Sequence, residues 1–549
     1  MATESFFSNA SLAYLASAGA GKDGKTYSIK PTDGSGDFTF SRGSNLSATR
    51  VGPTGLIEKG RENLLLQSNQ FDTTWFNAST TETGGQSGYD GLSGAWKIDL
   101  TGTGGYIAQA ISNANVNTIS VYAKAGTLNW IRLRVGISPS NSRYFDLENG
   151  VIGLSGTATI DAKIESVGSG WYRCSMTTNI SFGRVYFYPA AGDGDVTASS
   201  GNIYIQDAQL EIGLAATDYI ESGATTGKAG LLEDEPRFDY SGGATCPSLL
   251  LEPSRTNELL YSEYLDAWTT IGSPTITTNY GTSPEGVQNS TRFVAVSGDR
   301  KYIPLSLASA EYTYSIYVKG TGSLSLQENT GSYRYDITPT SEWQRYDYTF
   351  TGAISNVQIR TFSACDVEIY GIQLEAGSYP TSYIPNHSGG SVTRGDDFSN
   401  TSTLPDSVIS AADDYTIFFD ISKDEGANTA DSGNKTWLVI ENSSAQDIFT
   451  LRKNNVANEK YHQLYSNRDA AYVFQNETIN KACFRVTSNE VKVYLDGAIV
   501  TTYAATNNHL DLKKIIVKYG SSDATSMVVS QFLLFNEALS DADCITLTT

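Results

Sequence analysis

The chain has 549 residues, with 51 glycines, 33 tyrosines and 21 phenylalanines, and a formal net charge of -21. This length exceeds what one core supports and predicts three or four domains, and the glycine- and aromatic-rich composition predicts an all-β protein. The acidic charge argues against nucleic acid as a partner. No stretch approaches 18 continuous apolar residues, so membrane insertion is not expected.

Near the N-terminus, GAGKDGKT (19-26) matches the G-x-x-x-x-G-K-[ST] pattern of a phosphate-binding loop. Such a loop needs a helix directly after it, because the helix N-terminus receives the phosphate. Here Tyr27 and Ile29 alternate with polar residues as in a strand, and Pro31 would interrupt a helix. We therefore interpret the stretch as a turn within an N-terminal segment, residues 1-55. That segment lacks the basic region and long apolar core of a secretory signal.

The middle of the chain contains an internal duplication. GRENLLLQSNQFDTTW, starting at Gly60, recurs as SRTNELLYSEYLDAW, starting at Ser254. TISVYAKAGT then recurs as TYSIYVKGTG, GSGWYRCSMT as TSEWQRYDYT, and IQDAQLEIGLAATDYI as IYGIQLEAGSYPTSYI, in the same order. Ordered matches of this kind predict two copies of one structural unit. We assign module 1 to residues 56-222 and module 2 to residues 251-386, with a linker at 223-250.

Each module is predicted to be a β-sandwich. In TISVYAKA (118-125) apolar and polar residues alternate, which gives one core face and one exposed face. In LNWIRLRVGI (128-137) the mostly apolar row is backed by Trp130, Arg132 and Arg134. An aromatic and arginine row is what a sheet needs if its outer face contacts a partner.

A divergent third module is predicted at 411-549, after a second linker at 387-410. FRVTSNEVKVYLDGAIV reads as a hairpin, and the ending FLLFNEALSDAD is similar to the way jelly-roll domains of the concanavalin or laminin-G type close. The predicted fold class is therefore all-β, with tandem β-sandwich (jelly-roll) modules, two repeated plus one divergent.

Several of these segments together carry a family likeness. LLLEPSRTNELLYSEYLDAW, SIYVKG, the WYR segment and IQLEAGSYPTSYI resemble the carbohydrate-binding-like modules of tailed-bacteriophage appendage proteins, such as tail fibres and head fibres. DFTFSRGSNLSATRVGPTGLIEKGRENLLLQS (37-68) is similar to a lead-in segment of such virion proteins. The likeness covers residues 37-386. It implies a virion structural protein assembled in the host cytoplasm, attached to other virion proteins through residues 1-55 and forming a homo-oligomer.

Three functions follow from the sequence, and the first is attachment to a host-surface polysaccharide. Sugar sites pair aromatic faces with a few polar groups, and the candidates are Trp130, Arg132 and Arg134 in module 1, Tyr333 and Tyr335 in module 2, and Tyr461, His462 and Tyr465 in module 3. The alternative is a virion scaffold or decoration protein, in which the same side chains make only assembly contacts.

The third function is a polysaccharide depolymerase, which would need two carboxylates across a cleft. Glu211 and Glu375 stand in the repeated QLE, one in each copy. We predict a structural role for both, as acceptors of hydrogen bonds from the Thr-x-Tyr that follows (Thr217 and Tyr219; Thr381 and Tyr383), because buried polar groups are normally satisfied locally. The chain is therefore not expected to be an enzyme.

No cofactor is expected, because the histidines and cysteines are scattered along the chain. Calcium is the one metal ion for which candidate ligands exist: Asp420, Asp431 and Asp496 fall near predicted loops. They lack the regular ligand spacing of an EF-hand.

Overall fold

The computed structural model describes the whole chain except residues 1, 19-20, 23, 44-45, 158, 329-332, 402, 412, 424-434, 457-458, 467-469, 475-480, 506 and 518-525. For residues 2-5, 22, 155, 422-423, 435-437, 451-456, 459-466, 470-474 and 507-508 it describes the backbone alone. Antiparallel strands dominate this part of the chain, which confirms the predicted all-β class with tandem sandwiches. None of the described helices is long and apolar enough to cross a membrane.

The helices and strands follow in chain order. The N-terminal part contains α1 (Ala2–Asn9), β1 (Leu12–Leu15), β2 (Gly21–Lys22), β3 (Lys25–Thr26), β4 (Phe38–Ser41), β5 (Thr49–Val51), β6 (Ile57–Lys59) and β7 (Arg61–Asn63). Module 1 contains β8 (Phe76–Ala78), β9 (Thr80–Gln86), β10 (Ala95–Leu100), β11 (Tyr106–Asn113), β12 (Asn117–Ala125), β13 (Trp130–Val135), β14 (Ser142–Asp146), β15 (Val151–Ser155), β16 (Thr159–Gly168), β17 (Trp171–Thr178), β18 (Phe182–Ala190) and β19 (Asn202–Ile212).

The second half of the chain is equally rich in strands. Three short strands, β20 (Gly227–Ala229), β21 (Arg237–Asp239) and β22 (Ser248–Leu251), precede module 2, which contains β23 (Arg255–Asn257), β24 (Thr269–Ile271), β25 (Thr275–Thr277), β26 (Thr291–Ala295), β27 (Arg300–Gly322), β28 (Leu324–Glu328), β29 (Arg334–Ile337), β30 (Gln344–Arg360) and β31 (Cys365–Ala376). The remainder contains β32 (Val392–Arg394), β33 (Phe398–Thr401), β34 (Tyr415–Lys423), β35 (Lys435–Asn442), β36 (Asp447–Val456), β37 (Glu459–Ser466), β38 (Ala470–Phe474), β39 (Lys481–Val486), β40 (Glu490–Leu495), β41 (Ala498–Ala504), β42 (Leu512–Val517), β43 (Met527–Phe535) and α2 (Asp541–Thr548).

Module 1 is a sandwich of two six-stranded sheets. One sheet has the order β16-β17-β12-β19-β10-β9 and the other β15-β14-β13-β18-β11-β8. The core between them contains the apolar residues of β12 and β13 that alternation assigned to it: Ile119, Val121, Ala123, Ile131, Leu133 and Val135, all fully buried. The opposite residues of β13 consequently lie on the outer face of the second sheet.

Module 2 repeats the central strands of module 1. Its eight-stranded sheet has the order β25-β26-β31-β27-β30-β28-β29, with β24 paired to β27. The two copies share one irregularity: the register between β12 and β19 shifts just after the pair Ser120 and Gln209, and the register between β27 and β31 shifts just after Ser315 and Gln373. A β-bulge kept at the same place in both copies confirms the duplication seen in the sequence.

The third sandwich is assembled from distant parts of the chain. Strand β1 pairs with β43, β22 pairs with β43, and β4 pairs with β33. Its core includes Leu12, Phe38 and Leu249 beside residues of β34 and β39. The chain therefore leaves this sandwich to form module 1, returns, leaves again to form module 2, and returns to finish it. Strands from the predicted N-terminal segment and from both predicted linkers complete its sheets, while virion attachment through residues 1-55 stays a prediction.

The GAGKDGKT stretch belongs to the same sandwich. Strands β2 and β3 pair with each other, and β3 pairs with β4. Thr26 is fully buried and Lys25 is exposed, and the described residues that follow, 27-43, form turns and strand β4. The helix that a phosphate-binding loop requires is not found among these residues. The described residues of the stretch form a hairpin of β2 and β3 with Gly24 in its turn.

Five buried charges lie where the chain leaves and re-enters the third sandwich. They are Arg42 after β4, Arg237 in β21, Glu252 after β22, Arg394 in β32 and Asp397 before β33, and their side chains are 0–3% exposed. We call this set the ion hub.

The carboxylates of the ion hub are shared between the three arginines. Glu252 Oε2 lies 2.6 Å from Arg237 Nη1 and 2.9 Å from Arg394 Nη1. Asp397 pairs with Arg237 and lies 3.4 Å from Arg42 Nη1. Burial acts to raise the pKa of Glu252, but Arg394 and Arg237 together hold that pKa well below its usual value.

Removing one member of the ion hub should destabilise the chain strongly. Asp397→Asn keeps the shape but leaves buried arginines without their carboxylate, so we expect the free energy of unfolding to fall by about 3–5 kcal/mol, measured by urea denaturation. The matched control is Lys228→Ala, which breaks the largely exposed pair with Glu233 and should cost at most about 1 kcal/mol. Similar small losses for both variants would contradict the role given to the ion hub.

Candidate functional site

The residues common to the two repeats form matching hydrogen-bond networks. Asn63 Oδ1 accepts from the backbone N–H of Leu65 and Leu210, and Asn63 Nδ2 donates to the carbonyl of Ile220 at 2.8 Å. In module 2, Asn257 makes the same three bonds to Leu259, Leu374 and Ile384. The repeated asparagine therefore ties the Leu-Leu segment to the long strand that ends each module, which is a structural task.

The two candidate catalytic glutamates belong to these networks. Glu211 accepts hydrogen bonds from Thr217 N at 2.8 Å and from Thr217 Oγ1 at 2.6 Å, and Glu375 accepts the same pair from Thr381 at the same distances. The predicted bonds from the threonines are confirmed. The tyrosines of the Thr-x-Tyr loops bond to the serines of the Leu-Leu segments instead: Tyr219 to Ser68 and Tyr383 to Ser262.

The outer face of one module 1 sheet gathers arginines and aromatic rings. Since the side chains of a strand alternate, Ile131 and Leu133 point into the core and Trp130, Arg132 and Arg134 point outward. The neighbouring strand β18 (FGRVYFYPA) follows the same rule: its Val185 and Phe187 lie in the core, so the residues between and beside them lie outside. They are Arg184, Tyr186 and Tyr188.

The outward side chains alternate between guanidinium groups and rings. Distances from guanidinium carbon to ring centroid are 5.4 Å for Arg132 to Tyr144, 5.1 Å for Arg132 to Tyr188, 5.0 Å for Arg134 to Tyr188, 3.9 Å for Arg134 to Tyr186, 6.0 Å for Arg184 to Tyr186 and 5.8 Å for Arg184 to Phe76. We call the row Tyr144, Arg132, Tyr188, Arg134, Tyr186, Arg184 and Phe76 the ladder. It crosses strands β14, β13, β18 and β8, and each contact is a cation–π interaction.

The ladder has a buried floor and an accessible strip. Its buried members, each at most 8% exposed, are Tyr144, Arg132, Tyr186 and Tyr188. Arg134 and Arg184 are half-buried, and Phe76 is 54% exposed. These three residues form the accessible strip. Half-buried Tyr106 joins the strip, because its ring centroid lies 5.2 Å from that of Tyr186 and 6.2 Å from that of Phe76. Trp130, the third residue predicted here, is half-buried at the end of β13.

Packing fixes the floor of the ladder. Arg132 donates from Nη2 to the carbonyl of Pro139 at 3.0 Å, and Tyr144 donates to the carbonyl of Asp195. Burial lowers the pKa of Arg132 and raises the pKa of Tyr188 to about 12, although the nearby arginines oppose the shift of the tyrosine. The floor is thus rigid, positively charged and partly dehydrated.

The predicted tyrosines of module 2 lie in a different setting. The Tyr333 ring stacks 5.6 Å from Phe350, and the Tyr335 ring stacks 5.7 Å from Tyr348. Phe350 belongs to the module 2 core, and Tyr335 packs against it. The structure brings the two predicted residues into one aromatic stack that borders the core, and their role in glycan binding stays a prediction.

The candidates of the third module lie largely outside the described side chains. Tyr461, His462 and Tyr465 are in strand β37, which pairs with β36 and β38, and only their backbone is described. Asp431, one of the candidate calcium ligands, lies outside the described residues. Burial raises the pKa of Asp420, and Asp496 is exposed in the turn after β40. Calcium binding stays a prediction.

A cavity of about 340 Å³ lies between the two repeated modules. Lys59, Arg61, Glu211 and buried His387 are among its lining residues. His387 Nε2 lies 3.6 Å from Glu263 Oε1, and neither ring nitrogen makes a hydrogen bond to a described residue.

The two cationic residues that line this cavity, Lys59 and Arg61, are paired with a buried glutamate of module 2. Lys59 Nζ lies 3.0 Å from Glu285 Oε1, and Arg61 pairs with the same carboxylate. Burial acts to raise the pKa of Glu285, but Lys59 and Arg61 lower it to about 2. Because Lys59 and Arg61 of the lining already pair with Glu285 of module 2, we assign the cavity to module contact.

Comparison with known proteins finds similarity only at the level of solved structures. No protein-family model matches the chain, and no curated protein matches it. A CBM40 of Ruminococcus gnavus IT-sialidase bound to α2,6 sialyllactose is similar at 12% identity and a TM-score of 0.19, covering 25% of this chain and 85% of that chain. The tandem CBM22-1-CBM22-2 domain from Paenibacillus barcinonensis Xyn10C is similar at 10% identity and a TM-score of 0.20, covering 57% of this chain and 97% of that chain.

Another similar structure is the binding domain of botulinum neurotoxin DC in complex with rat synaptotagmin II, at 15% identity and a TM-score of 0.22, covering 28% of this chain and 40% of that chain. Carbohydrate-binding modules are therefore among the solved structures that resemble parts of the chain. At these TM-scores the similarity carries no argument about what this chain binds.

Acidification should destabilise the contact between the modules. Burial lowers the pKa of His387 below its usual 6.5, with Glu263 raising it and Lys59 lowering it further. The folded chain therefore binds fewer protons than the unfolded chain at mildly acidic pH, and stability is lost as the pH falls below about 6.5. We expect the urea midpoint to decrease between pH 7.5 and 5.0, and to decrease less in His387→Gln. Identical pH profiles for the two proteins would refute this assignment.

Proposed function

We propose that the chain binds a glycan on the outer face of module 1, and that it does so as a host-attaching appendage protein of a tailed-bacteriophage virion. The observation that carries the binding proposal is the ladder with its accessible strip. Phe76 and Tyr106 offer ring surface to the apolar side of a pyranose, and Arg134 and Arg184 offer donors for its oxygens.

The buried floor favours this use of the face. Side chains that packing already holds in place lose little conformational entropy when a ligand binds. Tyr186 and Tyr188 are held between arginines, and Arg132 is held by Pro139. A ligand would therefore meet a preorganised surface.

The virion assignment rests on the resemblance over residues 37-386. It includes a homo-oligomeric state and contact with other virion proteins through residues 1-55. Strands β1 and β4 of that segment are hydrogen-bonded within the chain, so such a contact would use the surface that these strands leave outside. A scaffold or decoration protein with assembly contacts alone is the second candidate, because an apolar and charged strip suits a protein neighbour as well.

A depolymerase is the least favoured candidate. Glu211 and Glu375 are buried, and the oxygens of both carboxylates accept hydrogen bonds inside their own modules. A general acid or nucleophile needs an oxygen that faces the substrate. The geometry of these two residues therefore favours the structural role.

Loss of the accessible rings should weaken glycan binding. We expect the full chain to bind host-type polysaccharides on a glycan array, and the double variant Phe76→Ala/Tyr106→Ala to bind about tenfold more weakly, because each ring contact contributes about 0.5–1.5 kcal/mol. The matched control is Tyr280→Ala, which removes an exposed ring that stacks with Arg292 at 4.8 Å in module 2. It should leave binding unchanged.

Two results would contradict the proposal. If the full chain binds no polysaccharide on the array, the attachment function is rejected and the scaffold function remains. Equal losses for the double variant and for Tyr280→Ala would place the binding face elsewhere. The virion assignment is tested separately by immunogold electron microscopy of purified phage particles with an antibody against this chain. Particles that carry no label would reject the assignment.

A further inference from the structure

We infer that the ladder binds an acidic polysaccharide, whose negative groups are placed against Arg134 and Arg184. This inference rests on the proposed glycan-binding function and names the class of its ligand. It starts from a charge imbalance. The chain has 59 acidic residues but 38 lysines and arginines. Even so, no described carboxylate oxygen lies within 4.0 Å, the limit for an ion pair, of the three arginines of the ladder.

Some of the other arginines that stack on rings in this chain have an acidic partner. Arg292 lies over Tyr280 and pairs with Asp366 at 2.5 Å. Arg334 lies over Phe362 and pairs with Asp336 at 2.5 Å. An arginine of this protein can therefore stack on a ring and form an ion pair at the same time. Arg173, Arg345 and Arg360 also stack on rings without a described carboxylate at ion-pair distance, but Arg173 and Arg345 donate hydrogen bonds to Ser120 and Ser315. The ladder differs because it groups three such arginines on one face, where another molecule could neutralise them together.

Asp146, at the end of β14, and Asp195, whose carbonyl accepts from Tyr144 of the ladder, are engaged in their own loops. Asp146 accepts from the backbone N–H of Glu148 and of Asn149, at 2.9 and 3.1 Å. Asp195 accepts from the N–H of Ala191 at 2.9 Å and of Thr197 at 2.8 Å. Neither carboxylate is placed to neutralise the arginines.

The accessible arginines also have unused donors. Neither the Arg134 nor the Arg184 side chain makes a hydrogen bond to a described residue. A guanidinium pairs in bidentate fashion with a planar anion such as a carboxylate. A sugar acid would supply both the acceptor and the negative charge, whereas a neutral sugar supplies hydroxyl acceptors alone.

The charge of the rest of the molecule restricts the ligand further. A net charge of -21 repels polyanions in general, so binding would be confined to this face. Nucleic acid carries a high density of phosphate charge and would be repelled most strongly. An acidic polysaccharide that carries its charges on individual sugar rings suits the short positive strip better.

The test compares ligands that differ only in charge, on the unmodified full chain. Binding of alginate, polygalacturonate and hyaluronan is measured at 150 mM salt, next to the same polymers after chemical reduction of their carboxyl groups; dextran, dextran sulfate and single-stranded DNA complete the panel. We expect at least one of the three acidic polymers to bind, and its reduced form to bind at least about tenfold more weakly. Tighter binding of dextran sulfate would retain the inference and assign the charge to sulfate.

Variants of Arg134 test whether the dependence of binding on charge comes from the ladder. Arg134→Gln should weaken binding of the acidic polymer about tenfold or more, and Arg134→Lys should weaken it less, because lysine keeps the charge and loses the bidentate fork. Arg334→Gln is the matched control, since it also removes an arginine from a ring, and it should leave the affinity unchanged. Should Arg134→Gln fail to fold, the comparison of native and reduced polymers on the unmodified chain decides.

The outcomes separate this inference from the proposed function. Equal affinity for native and reduced polymers overturns the inference and leaves glycan binding standing. Binding of dextran or of single-stranded DNA in preference to every acidic polysaccharide also overturns it. Binding of no polymer overturns the inference and the glycan-binding function together.

Discussion

The ion hub is the constraint on which the arrangement of this protein depends. Its arginines and carboxylates come from the points where the chain departs for module 1 and module 2 and where it returns to the third sandwich. Burying five charges is unfavourable unless each meets its partners, so the connections are held in one arrangement. Glu252 joins Arg237 to Arg394, and through Ser382, which donates to the same carboxylate, the hub reaches module 2.

The ladder follows the opposite electrostatic rule. In the ion hub every guanidinium faces a carboxylate, and in the ladder Arg132 and Arg134 face rings. The quadrupole of an aromatic ring attracts a cation, but the ring carries no net charge, so the arginine stays unneutralised. The result is a positive surface on an acidic protein, with a buried floor and an accessible strip, held in place by the sandwich beneath it. Under the proposed function, this is the surface that a ligand would meet.

The sequence predicted those features that depend on residues close together in the chain, such as which side chains of a strand share a face. Alternation placed Arg132 and Arg134 on an outer face, and the duplication identified Glu211 and Glu375 as equivalent structural acids. The same alternation in FGRVYFYPA would have added Tyr186 and Tyr188 to the face, since their neighbours Val185 and Phe187 are plainly apolar. That signal was present in the sequence and was missed.

Other features leave no local signal. The pairing of Leu12 with Leu534 joins strands at opposite ends of the chain. Two short strands of the predicted linkers, β22 and β33, likewise pair with strands far away in sequence, β43 and β4. The ion hub combines residues from three separated segments. The absence of a carboxylate near Arg134 is visible in part in the sequence, because no aspartate or glutamate stands between Asp99 and Asp146. That acidic residues of other segments also stay away from it is a property of the folded surface. Non-local contacts of these kinds require the structure.

The most direct test of the glycan-binding account is a crystal structure of the full chain with an acidic oligosaccharide. The account predicts a sugar ring against Phe76 or Tyr106 and an acidic group within hydrogen-bond distance of Arg134 or Arg184. An oligosaccharide bound on another surface, with the ladder still open to solvent, would contradict it.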